Sequence, residues 1–164
     1  MKTIDKKTTH DTKAHKPLEA TALLKADHKL VDELFSEYES ARTKNKKKTI
    51  VEKICTELII HAKIEEEIFY PKVKSALKDH EMIPEAVVEH ETLRHLIGQL
   101  RKADILQDKE TYDAKVKVLC EYVKHHVKEE QNELFPKVKK TNLDLDAIGR
   151  ELQARKEELK KQLN

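Results

Sequence analysis

The sequence predicts an all-α protein, an antiparallel up-down four-helix bundle with an additional C-terminal helix. The 164 residues include 2 Gly and 4 Pro, and charged residues make up 39% of the chain. This composition is typical of long helices with solvated faces rather than of sheets. Apolar residues recur at intervals of three and four through five segments. The connections between the first four segments are short, which favours antiparallel neighbours.

One compact domain is expected over residues 18–164, preceded by a flexible tail over residues 1–17. A chain of this length buries roughly 70% of the surface that it exposes when unfolded, enough for a single core. The tail is rich in Lys and Thr and ends at Pro17. Its low apolar content is typical of disordered segments, so we expect no functional role for His10 and His15 within it.

The first two helices each carry a histidine within their apolar stripe. Helix one is predicted over about residues 18–42, and its stripe is Leu24, His28, Val31, Phe35 and Tyr38. A polar connection is predicted over residues 43–48. The stripe of helix two is Ile54, Leu58, His61, Glu65 and Ile68 or Phe69. Pro71 lacks an amide hydrogen, so we predict that helix two kinks or ends there, with a short helical continuation through Leu77.

The next helices repeat this arrangement. Helix three is predicted over about residues 83–103, with the stripe Ile83, Val87, His90, Leu93 or Arg94, Ile97 and Leu100. Helix four begins near Asp108, a predicted N-cap, and its stripe is Tyr112, Val116, Leu119, Val123, His126, Glu130 and Leu134. This phase selects His126 rather than His125. Pro136 repeats the position of Pro71, and a fifth amphipathic helix over residues 143–163 is predicted to pack outside the bundle.

An internal repeat relates the second and fourth helices. The motif His-x-x-x-Glu begins at His61 and again 65 residues later at His126 (126 − 61 = 65), and an aromatic-Pro-Lys-Val-Lys segment follows each copy. A lone histidine precedes each copy, at His28 and at His90. Residues i and i+4 share one helix face, so each motif presents imidazole and carboxylate to the same ion. The repeat gives six candidate metal ligands: His28, His61, Glu65, His90, His126 and Glu130.

These six residues together predict a centre that encloses two metal ions. One buried histidine is more often a hydrogen-bonded core residue than a ligand. A metal-free structural bundle, however, would bury the carboxylates of Glu65 and Glu130 without partners, which is costly. Imidazole and carboxylate suit iron, zinc, manganese or copper, and the lack of a thiolate in the stripe argues against a structural zinc knot.

Composition excludes several other classes of function. The net charge is +2, aromatic residues make up 4% and Trp is absent, so we expect no nucleic-acid partner. No apolar run approaches the ~18 residues of a membrane span, and the first ten residues lack the apolar core of a signal peptide. We therefore expect a cytoplasmic protein with no membrane partner. Two cysteines, Cys55 and Cys120, cannot define a disulfide framework and are predicted to be reduced.

The ligand pattern resembles that of the hemerythrin-like family, also called HHE cation-binding proteins, over about residues 18–160. The similar features are the pairs Asp27-His28 and Glu89-His90, the segments 66–71 and 133–136, and the trailing helix. The resemblance implies a non-heme di-iron centre within an antiparallel four-helix bundle, its two iron ions joined by an oxo or hydroxo bridge. Implied bridging carboxylates are Glu65 and Glu130, and implied terminal ligands are His28, His61, His90 and His126.

The chain departs from the oxygen-carrying hemerythrins in two places. Those proteins take two histidines, four residues apart, from the third helix, whereas His90 is followed at that distance by Arg94. Their last helix carries His-x-x-x-x-Asp, whereas this chain has His126-x-x-x-Glu130. Reversible oxygen carriage is therefore not expected. The weaker alternative ligands are His95, one residue out of phase, and the pairing His125-x-x-x-x-Glu130.

Three hypotheses for function follow. The first is a non-heme di-iron protein that binds, senses or reacts with dioxygen, peroxide or nitric oxide as its small ligand. The second is an iron-responsive or iron-handling module, which would lose helicity when iron is removed. The third is a di-iron peroxidase or catalase-like enzyme, which would turn over peroxide instead of forming a stable adduct.

Overall fold

The computed structural model describes residues 16–163, so most of the predicted tail, with His10 and His15, lies outside the described residues. The helices are α1 (Ala20–Ser40), α2 (Lys44–Ile64), α3 (Tyr70–Leu77), α4 (Met82–Lys102), α5 (Lys109–Glu129), α6 (Phe135–Lys139) and α7 (Leu145–Leu163). Single π-helical turns, Glu65–Phe69 and Glu130–Leu134, join α2 to α3 and α5 to α6. Residues 16–163 contain no strand, which confirms the all-α prediction.

Side-chain caps fix where the helices start. The Asp108 carboxylate accepts a hydrogen bond from the Thr111 amide at 2.9 Å, so the predicted N-cap of α5 is confirmed. Thr43 accepts from the Lys46 amide at 3.2 Å and caps α2. This cap makes the connection before α2 shorter than the predicted residues 43–48, because the helix already begins at Lys44.

A wide π-helical turn lies just before each of the two prolines at which a kink or helix end is predicted. The Tyr70 amide donates to the Glu65 carbonyl five residues earlier, and the Phe135 amide donates to Glu130 in the same way. A proline follows each aromatic residue and would crowd the carbonyl four residues before it in a regular helix. The wider turn relieves that crowding and continues the helix, and such turns are frequent at functional sites.

A polar layer divides the core of the bundle into two apolar clusters. One cluster lies between α1, α2, α4 and α5 and includes Phe35, Ile54 and Leu119. The other lies beyond the layer and includes Phe69 and Phe135, which follow the two carboxylate ligand candidates along the chain. We call α1 to α3 the first half and α4 to α6 the second half of the molecule.

The C-terminal helix packs on the first half, against α1, α2 and the first π-helical turn. Ile148, Leu152 and Leu159 form its buried face. Gly149 allows a close approach, since a Cβ atom there would lie 2.2 Å from the Leu18 carbonyl oxygen. The prediction of a helix outside a four-helix bundle is therefore confirmed. Among residues 16–163, no helix combines the length and the apolar character needed to cross a membrane.

Candidate metal centre

All six candidate ligands lie in the polar layer. None is more than 8% exposed, and Glu65 is fully buried. The alternatives lie elsewhere: the His125 side chain is 63% exposed and pairs with Glu129, and His95 is exposed and hydrogen-bonded to Gln99. Arg94 also points outward and forms an ion pair with Glu66. The structure therefore brings together the six residues of the repeat and leaves the other candidates on the surface.

Two histidine pairs converge with the spacing of ligands on one metal. The Nε2 atoms of His28 and His61 lie 3.1 Å apart, and the Nε2 atoms of His90 and His126 are separated by the same 3.1 Å. Two nitrogens bound to one metal at about 2.0–2.1 Å, with an angle near 90–100°, lie roughly 3 Å apart. Each half of the molecule therefore contributes one pair of imidazoles with metal-ligand spacing.

The two carboxylates reach across between these pairs. Glu65 Oε1 lies 3.0 Å from His61 Nε2 in its own half and 3.5 Å from His90 Nε2 in the other half. Glu130 Oε1 likewise lies 2.8 Å from His126 Nε2 and 3.8 Å from His28 Nε2. Two clusters of three possible ligands result: His28, His61 and Glu130, and Glu65, His90 and His126.

The chemistry of the layer fits a cation. Both carboxylate oxygens of Glu65 and of Glu130 are buried and have no hydrogen-bond partner among the described residues. Buried carboxylates without hydrogen bonds are expensive, and metal coordination is one of the ways in which proteins stabilise them. Oxygen and imidazole nitrogen are both good ligands for first-row divalent metals. The donors present therefore fit two metal ions.

The pKa values show how strongly these groups affect one another. Burial lowers the pKa of His28 to about 4, and the neighbouring His61 adds to this effect. Burial also opposes protonation of His61 and His126, but the adjacent carboxylates outweigh it and raise the pKa of His61 to about 10 and that of His126 to about 11. Burial and the nearby Glu65 raise the pKa of Glu130 to about 7. A bound cation would replace the protons that otherwise balance this layer.

Each histidine has a polar side chain, which we call its outer partner, beside its Nδ1 atom. The pairs are His28 with Gln131 at 2.9 Å, His61 with Asp27 at 3.0 Å, His90 with Glu66 at 3.6 Å and His126 with Glu89 at 3.4 Å. Such partners orient an imidazole so that Nε2 faces the metal. The sequence prediction assigned no role to these four residues. One feature of the sequence could have indicated them, because each is next to a ligand candidate along the chain.

An aromatic ring stacks on one histidine of each half. Phe135 lies parallel to His28 at a centroid distance of 6.0 Å, and Tyr70 stacks on His90 at 5.5 Å. The Tyr70 hydroxyl lies 3.4 Å from His90 Nε2. Burial, aided by Glu130 and Glu65, raises the pKa of Tyr70 well above its usual value, which keeps the hydroxyl protonated. The two halves therefore differ by one hydroxyl group beside the candidate ligands.

A small cavity opens beside the layer, on the side of the cluster that contains Phe35 and Leu119. The four candidate histidines form one wall of this cavity. The opposite walls are mostly apolar and include Val31, Leu58, Leu93, Tyr122 and Val127. An apolar space next to open coordination positions favours small uncharged ligands and excludes water.

The fold and this layer define a helical-bundle protein with a histidine and glutamate metal centre. The sequence profile of the hemerythrin HHE cation-binding domain matches residues 19–138, most of the chain. The chain belongs to this family. The resemblance inferred from the ligand pattern is therefore confirmed.

The chain is similar to a protein of known structure and to part of a longer relative. The structure resembles the crystal structure of a hemerythrin HHE cation-binding domain-containing protein from Mycobacterium kansasii, with a TM-score of 0.73, 24% identity and 87% of each chain covered. At that identity the likeness shows the fold. The chain is also 26% identical over 117 residues to a DNA nickase from Nostoc sp., a match that covers 71% of this chain and 32% of the nickase. The chain thus spans about a third of the length of that relative.

Proposed function

We propose that the protein holds a non-heme di-iron centre that binds, senses or reacts with dioxygen, peroxide or nitric oxide. In this proposal Glu65 and Glu130 bridge the two irons. The terminal ligands are His28, His61, His90 and His126. Two bound irons would supply redox chemistry and open coordination positions for the small ligand.

The observation that carries the proposal is the position of the two carboxylates. Each lies close to an imidazole of both halves, and neither has a hydrogen-bond partner among residues 16–163. A bridging carboxylate needs access to both metals. Glu65 and Glu130 each meet this requirement, because each lies near histidines of both halves. Membership of an HHE cation-binding family supports the same interpretation.

The protein residues contribute orientation and a dry ligand space. Gln131 and Asp27 are hydrogen-bonded to the Nδ1 atoms of His28 and His61, and Glu66 and Glu89 lie beside those of His90 and His126. Such partners orient each imidazole with its Nε2 atom toward the centre of the layer. The apolar side chains of the cavity, such as Val31, Leu58 and Leu93, limit access of water to the same place. These features favour a small ligand such as dioxygen or nitric oxide over a larger organic substrate.

We further propose that the centre oxidises on exposure to air instead of carrying dioxygen reversibly. Arg94 occupies the position of the fifth histidine of the oxygen carriers, and it faces outward to Glu66. His95 is on the surface, so it does not replace the missing imidazole. Four imidazoles instead of five would then hold the two irons, and the one additional open position between them would favour reaction at the metal.

The first test is an ultraviolet-visible spectrum and elemental analysis of protein purified in air. We expect two irons per chain and charge-transfer bands in the near ultraviolet. Zinc in place of iron, or one metal per chain, would contradict the di-iron assignment.

A second test separates the candidate functions. Anaerobic di-ferrous protein is mixed with oxygen in a stopped-flow instrument, and we expect irreversible oxidation. A stable oxygenated spectrum that reverses under argon would show a carrier instead. Continuous turnover of added peroxide would favour a peroxidase or catalase-like enzyme, whereas loss of helicity on iron removal would favour an iron-responsive module.

A further inference from the structure

An acidic groove on the surface of the second half leads to the candidate metal centre. It runs between α4 and α5 and continues along the second π-helical turn. The carboxylates of Glu85, Glu89, Glu129 and Glu133 line this groove, and His126 and Glu130 lie at its floor. The groove therefore connects solvent to two of the proposed ligands. Lys137 Nζ lies 3.6 Å from the sulfur of Met82, which also lines the groove.

Glu130, at the floor of the groove, is a buried carboxylate without a hydrogen-bond partner among the described residues. Glu130 is 3% exposed, and both of its carboxylate oxygens are without a hydrogen bond from any described residue. The glutamates that line the groove above this floor create a negative field, and such a field draws cations inward. This floor distinguishes the groove from an ordinary solvated acidic surface.

Two side chains of the groove, Glu89 and Glu129, and the neighbouring His125 have the geometry of an outer metal site. Ligand atoms of Glu89, His125 and Glu129 all lie within 4.8 Å of one another. His125 Nε2 is 3.2 Å from Glu129 Oε1, and both side chains are accessible to solvent. Glu89 also lies 3.4 Å from His126 Nδ1, so it touches both this cluster and the inner layer. Two members of this cluster, His125 and Glu129, are the sequence neighbours of the proposed ligands His126 and Glu130.

The corresponding region of the first half offers no such route. Asp27 corresponds to Glu89 in the repeat, but Lys156 of α7 forms an ion pair with Asp27 and neutralises it. The same helix covers α1 and α2. Glu89, in contrast, has one carboxylate oxygen buried without a hydrogen-bond partner among the described residues. Only one of the two related surfaces is therefore both open and negative.

We propose that divalent cations enter the centre through the acidic groove, with Glu89, His125 and Glu129 as a transient outer site. Oxygen and imidazole ligands suit Fe²⁺ and similar first-row ions. This inference rests on the proposed function, because the groove loads a metal centre at its floor. The outer site is assigned to the entry of the metal and has no part in the chemistry of the loaded centre.

The test measures how fast the apoprotein takes up ferrous iron. Full-length apoprotein is mixed anaerobically with Fe²⁺, and a chelator quench at increasing times counts the iron that has become protected. The double variant His125→Gln with Glu129→Gln should load roughly tenfold more slowly, within the range of electrostatic effects on association. Its final content should remain two irons per chain. High salt should slow the wild type more than the variant, because salt screens the groove.

The matched control is Glu121→Gln, an exposed glutamate on α5 that does not line the groove and gives the same change in charge. It should load at the wild-type rate. Equal rates for the double variant and this control would overturn the proposal, and so would a lower final iron content of the double variant. If the wild type itself does not bind two irons, the proposed function fails instead.

Discussion

Corresponding positions of α2 and α5, and of the π-helical turns that follow them, carry different side chains. The first half has Ile60, Ile64 and Ile68 at the positions where the second half has His125, Glu129 and Glu133. Ile60 and Ile64 are buried in the cluster that α7 completes, and Ile68 packs against it. The equivalent polar residues line or border the open acidic groove.

The outer partners differ in the same way. Asp27 beside His61 is buried and paired with Lys156, whereas Glu89 beside His126 is closer to solvent and forms no ion pair with a lysine or arginine among the described residues. Glu66 beside His90 forms an ion pair with Arg94, whereas the outer partner of His28 is the neutral Gln131. The same His-x-x-x-Glu motif therefore occurs with two different sets of neighbouring residues, because the candidate ligands contact one another within the polar layer. The outer partners can therefore differ in charge and exposure between the two halves.

The largest expected effect comes from removing a carboxylate that joins the halves. Glu65→Ala and Glu130→Ala should each reduce the metal content from two ions per chain to nearly none, because each carboxylate lies close to imidazoles of both halves. Elemental analysis measures the content, and circular dichroism checks that the helices remain. If each variant lost one metal and kept the other, the halves would be independent sites.

A smaller effect should separate two neighbouring histidines of the second half. His126→Ala should weaken metal binding by more than the roughly 10- to 100-fold typical of losing an outer partner, because it removes a proposed ligand. His125→Ala should leave the metal spectrum of the fully loaded protein unchanged, because this side chain is 63% exposed. Titration of the apoprotein with Fe²⁺ under nitrogen gives both affinities. The reverse ranking would overturn the assignment of His126.

A substitution of Gly149 tests the packing of α7 on the first half. Gly149→Ala should destabilise the protein by about 1–3 kcal/mol, because the new methyl group would meet the Leu18 carbonyl and push α7 away. The control is Gly98→Ala in α4, where a Cβ atom has no neighbour within 4 Å. This control should be neutral or stabilising by roughly 0.5–1 kcal/mol, since Ala is the better helix former. Urea unfolding measures both values, and equal stabilities would contradict the packing of α7.

The smallest effect concerns the hydroxyl group that distinguishes the halves. Tyr70→Phe should keep two metals per chain and full stability but shift the absorption bands of the loaded protein, because the hydroxyl lies 3.4 Å from His90 Nε2. Phe135→Tyr is the reciprocal variant, placing a hydroxyl beside His28. Absorption and circular dichroism spectra in the visible range detect the change. Spectra identical to the wild type would show that Tyr70 is an apolar packing residue.

Helical periodicity was enough to predict much of this protein. Residues with spacings of three and four must share one helix face, so the sequence places the six ligand candidates on buried stripes before any helix is packed. The same phase excludes His125, which is indeed on the surface. The start of α5 at Asp108 and the interruptions of the regular α-helix before Pro71 and Pro136 follow from equally local rules, because caps and prolines act within one turn of the chain.

Tertiary structure decided everything that depends on which helices become neighbours. Sequence spacing does not tell whether Glu65 approaches His90 across the bundle, or that Glu66 turns to His90 while Arg94 points outward. The sequence also does not show which side of the bundle α7 covers. An amphipathic stripe indicates that a helix face is buried, but it does not indicate which surface that face packs against. A local pattern determines the face of a helix. The partner of that face is set by the packing of the whole chain.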